Sequence, residues 1–191
     1  MTEKELIVLL KKKDREAFKV IVEQYEDTVY NTSLGMLQNE EDAEDIAQEV
    51  FMQVFESIHS FKEESKFSTW LYRITITKSL DYLRKKKRKK RFSWIQGLYG
   101  ENDEEMAEAP DFMHPGIKLE NKEEAAVLFK AIEKLPEKQK AAFILNKLES
   151  LSYAEIAEIM GTSIVAVDSL FQRSKKNLRK DLAAYYKMNA Q

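Results

Sequence analysis

Between Ala43 and Ile58 the apolar residues Ala43, Ile46, Ala47, Val50, Phe51, Val54 and Ile58 keep the three- and four-residue step of one buried helical face throughout. A helix patterned in this way must cover its apolar stripe with other elements. The same step recurs in Phe18, Ile21, Val22, Tyr25 and Val29, which predicts a helix running to about Leu37 with a polar break at Gln38 and Asn39. It recurs again in Phe67, Leu71, Ile74, Ile76, Leu80 and Leu83. Only five glycines and three prolines interrupt 191 residues, so strands and tight turns have little place and the chain reads as all-α. With Ser60 to Ser68 as a short loop, these segments form an N-terminal bundle of three or four helices.

Charge is unevenly distributed. The formal net charge of −2 conceals the run Arg84, Lys85, Lys86, Lys87, Arg88, Lys89, Lys90, Arg91, which contains no acid. Such a run is either a solvated helix end or a surface for a polyanion, where released counterions supply affinity with little sequence information. Trp70, Tyr72 and Tyr82 precede it, and aromatics beside cations suit unstacked bases, although core packing explains such residues equally well. From Phe92 to about Leu119 the periodicity lapses, with Gly97, Gly100, Pro110, Pro115 and Gly116 scattered among Glu101, Asp103, Glu104, Glu105, Glu108 and Asp111. This stretch reads as an acidic linker, giving domains at 1–95 and 119–191 joined by 96–118. The chain has no cysteine, which excludes disulfides and thiolate chemistry. The apolar stretch near the N-terminus is too short for a signal peptide or membrane span, so a cytoplasmic protein is expected.

The C-terminal segment restarts with Ala125, Leu128, Phe129, Ile132 and Leu135 on one face, and Pro136 suits the start of another helix. Ser152 with Glu155 is a capping-box pattern that opens a short helix ending at Gly161. Ser163 then caps a longer helix in which Val167, Leu170, Phe171, Ser174 and Leu178 share a side and Arg173, Lys175, Lys176, Arg179 and Lys180 charge the rest. Short helix, glycine turn and longer basic helix form a helix-turn-helix, whose second helix enters the major groove. The expected architecture is therefore two small helical domains, an N-terminal bundle and a four-helix C-terminal domain carrying the helix-turn-helix.

Five segments, in this order, are similar to the extracytoplasmic-function group of bacterial RNA polymerase sigma factors: DAEDIAQEVFMQVF, FSTWLYRI, DYLRKKKR, LPEKQKAAFIL and LSYAEIAEIMG. The resemblance spans nearly the whole chain. It implies that the acidic helix docks on the coiled-coil clamp of the largest polymerase subunit, through Asp42, Asp45, Gln48 and Glu49. It further assigns Phe67, Trp70, Arg73, Thr77, Arg84 and Arg88 to the −10 promoter element, and Asp168, Ser169, Gln172, Arg173 and Lys176 to the −35 element. Two residues depart from the pattern. Thr77 stands where many members have Asn and lacks the paired hydrogen bonding of an amide, while Asp168 stands where relatives often carry a cation, which implies an altered −35 preference.

The function implied by the resemblance is that of a promoter-recruitment factor, which binds core RNA polymerase and promoter DNA and catalyses nothing itself. An anti-sigma factor, usually membrane-tethered, is implied as well, with neither a cofactor nor a small-molecule substrate. No glycine-rich phosphate loop or nucleophile motif appears, and His59 and His114 have no ligand spacing to the acids. The alternative is a helix-turn-helix regulator that binds operators without polymerase.

Overall fold

The computed structural model describes residues 2–97 and 122–189. Four helices form the N-terminal domain: α1 (Glu3–Lys11), α2 (Arg15–Leu37), α3 (Glu40–Ser57) and α4 (Phe67–Gly97), with a 3₁₀ turn at Ile58–Ser60. Four more form the C-terminal domain: α5 (Lys122–Glu133), α6 (Glu137–Lys147), α7 (Tyr153–Met160) and α8 (Ile164–Asn189). No strand occurs among the described residues.

Local chemistry sets most boundaries. Asp14 accepts a hydrogen bond from the Ala17 amide at the start of α2, and Asn39 accepts one from the Asp42 amide at the start of α3. Glu40, Glu41 and Asp42 fill the first turn of α3, where exposed N–H groups favour negative charge. Gln38 ends α2 in the left-handed conformation at φ 56°, its amide returning to the Leu34 carbonyl. The polar break expected at Gln38 and Asn39 is therefore the cap of one helix followed by the cap of the next.

Inside the N-terminal domain Leu10, Ile21, Met36, Val50, Val54 and Leu71 are buried against one another. Burying a side chain of this size contributes about 1.5–3 kcal/mol. The C-terminal core is built by Phe129, Ile132, Ile144, Leu145, Ile156, Val167 and Phe171.

The structure departs from the periodicity reading in two places. Helix α4 continues to Gly97, past the lapse at Phe92. Arginine and lysine are good helix formers, and a solvated extension needs no apolar stripe, so periodicity does not register it. Second, residues 32–37 of α2 and its cap Gln38 are all buried. One side meets α3 and α4; the other meets the C-terminal domain, where a Cβ on Gly35 would stand 2.9 Å from Leu148 and 3.1 Å from Ile144. Glycine permits this close crossing of α2 and α6. The acidic residues Glu101, Asp103, Glu104, Glu105, Glu108 and Asp111, and the expected linker beyond Gly97, lie outside the described residues.

Candidate nucleic-acid interface

Three surfaces carry the residues singled out from the sequence. The first is the outer side of α3. Asp45, Gln48 and Glu49 are exposed along it, together with Met52 at 62 % exposure. Asp42 stands apart: its side chain is only 18 % exposed and is held by Lys86 Nζ at 2.8 Å and by the Tyr82 hydroxyl at 2.5 Å. Burial pushes the Tyr82 phenol up to about 12, and its bond to Asp42 adds to the effect, so it remains a donor at neutral pH. Glu49 is paired with Lys78 at 3.2 Å. Cations of α4 thus partly neutralise the acidic helix within the same domain.

The second surface runs along α4. Phe67 is 1 % exposed, packed against Phe61 at 5.6 Å and Tyr25 at 5.5 Å between ring centres. A ring in that position offers no face to a base; it supports Trp70, which is half-buried against both Phe61 and Phe67. Phe67, expected from the sequence to face DNA, thus sits in the aromatic core of the free chain. Thr77 is exposed, but its hydroxyl donates to the Arg73 carbonyl one turn back at 2.8 Å. Arg73 donates to the Glu158 carbonyl at 2.6 Å and the Ile159 carbonyl at 3.3 Å, both in the last turn of α7. Arg84 meets Glu137 at 3.0 Å and Asp81 at 3.2 Å. Arg88 is exposed on the basic extension, where it shares a side with Lys85 and Lys89. Trp70, Arg73, Thr77, Lys85 and Arg88 line one groove together with Glu49 and Glu137.

The third surface is α8. Ser152 and Glu155 form the complete capping box of α7, Gly161 ends that helix at φ 60°, and Ser163 accepts from the Ala166 amide to open α8. Val167, Phe171, Ser174 and Leu178 are buried, which turns the opposite side of the helix outward. On that side stand Asp168, Ser169, Gln172, Arg173 and Lys176, all exposed, as the sequence reading requires. Gln172 Nε2 donates to Asp168 Oδ1 at 3.3 Å, one turn apart. Sequence reading overlooked Val165, 76 % exposed at the head of the same row, four residues before Ser169. It also overlooked Lys138, which borders a hollow with Thr162, Ser169 and Arg173 from another helix. Helical arithmetic could have found Val165; nothing in the local sequence marks Lys138.

Among the described residues no cluster of His, Asp and Glu could hold a metal ion, and no helix is long and apolar enough to cross a membrane.

Comparison with known proteins agrees with this arrangement. Residues 21–89 match sigma-70 region 2, and residues 126–178 match sigma-70 region 4. The chain is 36 % identical over 180 residues to the ECF RNA polymerase sigma factor SigW of Bacillus subtilis strain 168, covering 94 % of this chain and 96 % of that protein. It is 30 % identical to the ECF RNA polymerase sigma-E factor of Escherichia coli K12, covering 92 % of each. The sigma factor RpoE of Bartonella quintana, solved in complex with the anti-sigma factor NepR, shares the fold at a TM-score of 0.65 and 23 % identity, over 87 % of this chain and 96 % of that one. CnrH, solved in complex with the cytosolic domain of CnrY, shares it at a TM-score of 0.68 and 19 % identity, over 95 % of this chain and 97 % of that one. With two matched regions in the expected order and relatives aligned almost end to end, the chain belongs to the extracytoplasmic-function RNA polymerase sigma factors.

Proposed function

We propose that this sigma factor binds core RNA polymerase through the outer side of α3, with Asp45, Gln48 and Glu49 as the contact row and Asp42 at its margin. Met52 supplies an apolar centre for that row, and an apolar residue ringed by charges is a common anchor of protein interfaces. The α4 surface, with Trp70, Arg73, Thr77, Arg84 and Arg88, meets the −10 element; Phe67 acts there by holding Trp70. Helix α8 reads the −35 element. We divide the chain at 1–95 and 119–191, with 96–118 as an acidic connection that follows a basic path in the polymerase.

The observation that carries this reading is the exposed polar row of α8 behind a capped α7 and a left-handed glycine turn. Asp168 has a defined part in it. A glutamine amide can accept from adenine N6 and donate to N7, and the bond to Asp168 restricts which way the Gln172 amide points while leaving its second hydrogen free. Asp168 thus acts as a positioning residue for Gln172, which explains an acid among phosphates.

The protein transfers no chemical group, and it acts in the cytoplasm, where its polymerase is. Solved sigma relatives held by anti-sigma factors support a regulator of that kind here. The test is co-elution of the purified chain with bacterial core polymerase in size exclusion, with Asp45→Arg/Glu49→Arg as the comparison. Co-elution lost in the double variant is expected. No complex with the unaltered chain, alongside tight unaided binding to duplex DNA, would replace this reading with an operator-binding regulator.

A further inference from the structure

Val165 has no part in the fold. It is more exposed than any other large apolar side chain among the described residues, and it does not join the hydrophobic core. Valine is also among the poorer helix formers, so its place in the first turn of α8 serves neither packing nor propensity. A solitary apolar residue on a surface is ordinary. Val165 is set apart by the residues that share its side of the helix. Ile164, also exposed, is turned about 100° away from that side.

Val165, Ser169, Gln172 and Lys176 follow one another at helical steps of four, three and four residues, which places them along one line of α8. That line lies opposite the buried Val167, Phe171, Ser174 and Leu178. Ser163, accepting from the Ala166 amide, fixes the helix start and puts Val165 in the first turn. The N-terminal residues of a recognition helix are the ones that meet base edges. Val165 therefore heads the row assigned to the −35 element, and among Val165, Asp168, Ser169, Gln172, Arg173 and Lys176 it alone carries no polar side-chain group. From Val165 to Gln172 the helix advances about 10 Å, or about three base-pair steps, and fewer where it crosses the groove obliquely.

The major-groove edges of the base pairs present donors, acceptors and one apolar group, the C5-methyl of thymine. An aliphatic side chain pressed against a donor or acceptor strips its water and returns no hydrogen bond, which is unfavourable. Pressed against the methyl, it removes apolar surface from water on both sides of the contact. A valine at the head of a reading row is therefore matched to thymine and mismatched to every other group the groove offers.

Resting on the assignment of α8 to the −35 element, we propose that Val165 is a specificity-determining residue of that contact. It reads the C5-methyl group of one thymine, two or three base pairs from the base held by Gln172. The two side chains select by different chemistry: Gln172 by paired hydrogen bonds, Val165 by a methyl group that hydrogen bonding does not register.

The test uses the full chain bound to core RNA polymerase. A preferred −35 sequence is selected from promoters randomised across that element, and each of its thymines, on either strand, is replaced in turn by uracil, which lacks only the methyl group. At one position binding should weaken about fourfold, the effect of one methyl group returned to water. Val165→Ser should bind the thymine and uracil promoters equally. Serine is well tolerated near a helix start and the replaced side chain lies outside the core, so the variant folds; the ratio of the two affinities is also unmoved by a general loss of binding. No uracil-sensitive position with the unaltered protein, or a sensitivity that Val165→Ser retains, overturns the proposal. Gln172→Ala separates this from the assignment beneath it. A −35 preference relaxed by Gln172→Ala, with no uracil effect, leaves α8 on the DNA and removes Val165 from the reading, whereas a selection that yields no −35 preference removes both.

Discussion

Lys140 offers a quantitative check on the packing of the C-terminal domain. Burial pushes its ammonium down from 10.5 to about 8; Glu133 opposes this and Lys87 reinforces it. At about 1.4 kcal/mol per tenfold change in proton affinity, holding the charge in this site at neutral pH costs about 3 kcal/mol. The sign comes from proton counting. Between about pH 8 and 10.5 the unfolded chain binds more protons at this position than the folded chain, so stability rises with pH across that window. Integrated from about pH 7 to about pH 9.5, the gain is about 2 kcal/mol, with the rest above that range. Tyr82 acts in the opposite direction: its folded-state value is raised to about 12, so its contribution is lost as pH climbs beyond about 10. Measurement below pH 10 keeps the two apart. Lys140→Met preserves length and removes the charge, so urea unfolding at about pH 7 should show a gain approaching 3 kcal/mol, with little further rise at about pH 9.5. An unaltered chain no more stable at the higher pH, or a Met variant that retains the full pH dependence, would show that Lys140 is solvated and the reasoning wrong.

Gly161→Ala should lower domain stability by about 1 kcal/mol in thermal unfolding through backbone strain alone, since φ is 60° and an added Cβ meets nothing within 4 Å. A neutral result would mean that α7 ends in another conformation. Gly35→Ala should separate two effects, adding about 1 kcal/mol of helix propensity to the N-terminal domain while weakening interdomain docking by about 1–3 kcal/mol through overlap with Leu148 and Ile144. Thermal unfolding reads the first, and energy transfer between dyes on a Lys19→Cys/Lys180→Cys pair, both exposed in a chain without cysteine, reads the second; unchanged transfer would contradict the close crossing.

What could be read from the sequence was chemistry between near neighbours. Ser152 and Glu155, Gly161 and Ser163 delimit α7 and α8 because caps act across three or four residues. The buried stripe of α3 was legible for the same reason. Phe67 was not, because an aromatic beside cations looks alike whether it faces a base or, as here, the rings of Tyr25 and Phe61 more than five residues away. The partners of Arg73 and Tyr72 lie 77 to 86 residues further along the chain, beyond any periodic signal. Asp42 shows the same limit in milder form: its place in an acidic row was plain, but its capture by Tyr82 and Lys86 depends on how α4 crosses α3.

The continuity of α4 fixes what its basic end can grip. A helix of 31 residues is about 46 Å long, and from Leu83 to Arg91 it advances about 12 Å. That distance matches three to four base-pair steps. The cations sit at set angles on a rod whose other end is locked in a hydrophobic core, so the segment works as a ruler and not as a tether. Lys85, Arg88 and Lys89 lie along one edge of it, and a phosphate chain must pass at their radius and pitch to meet all three.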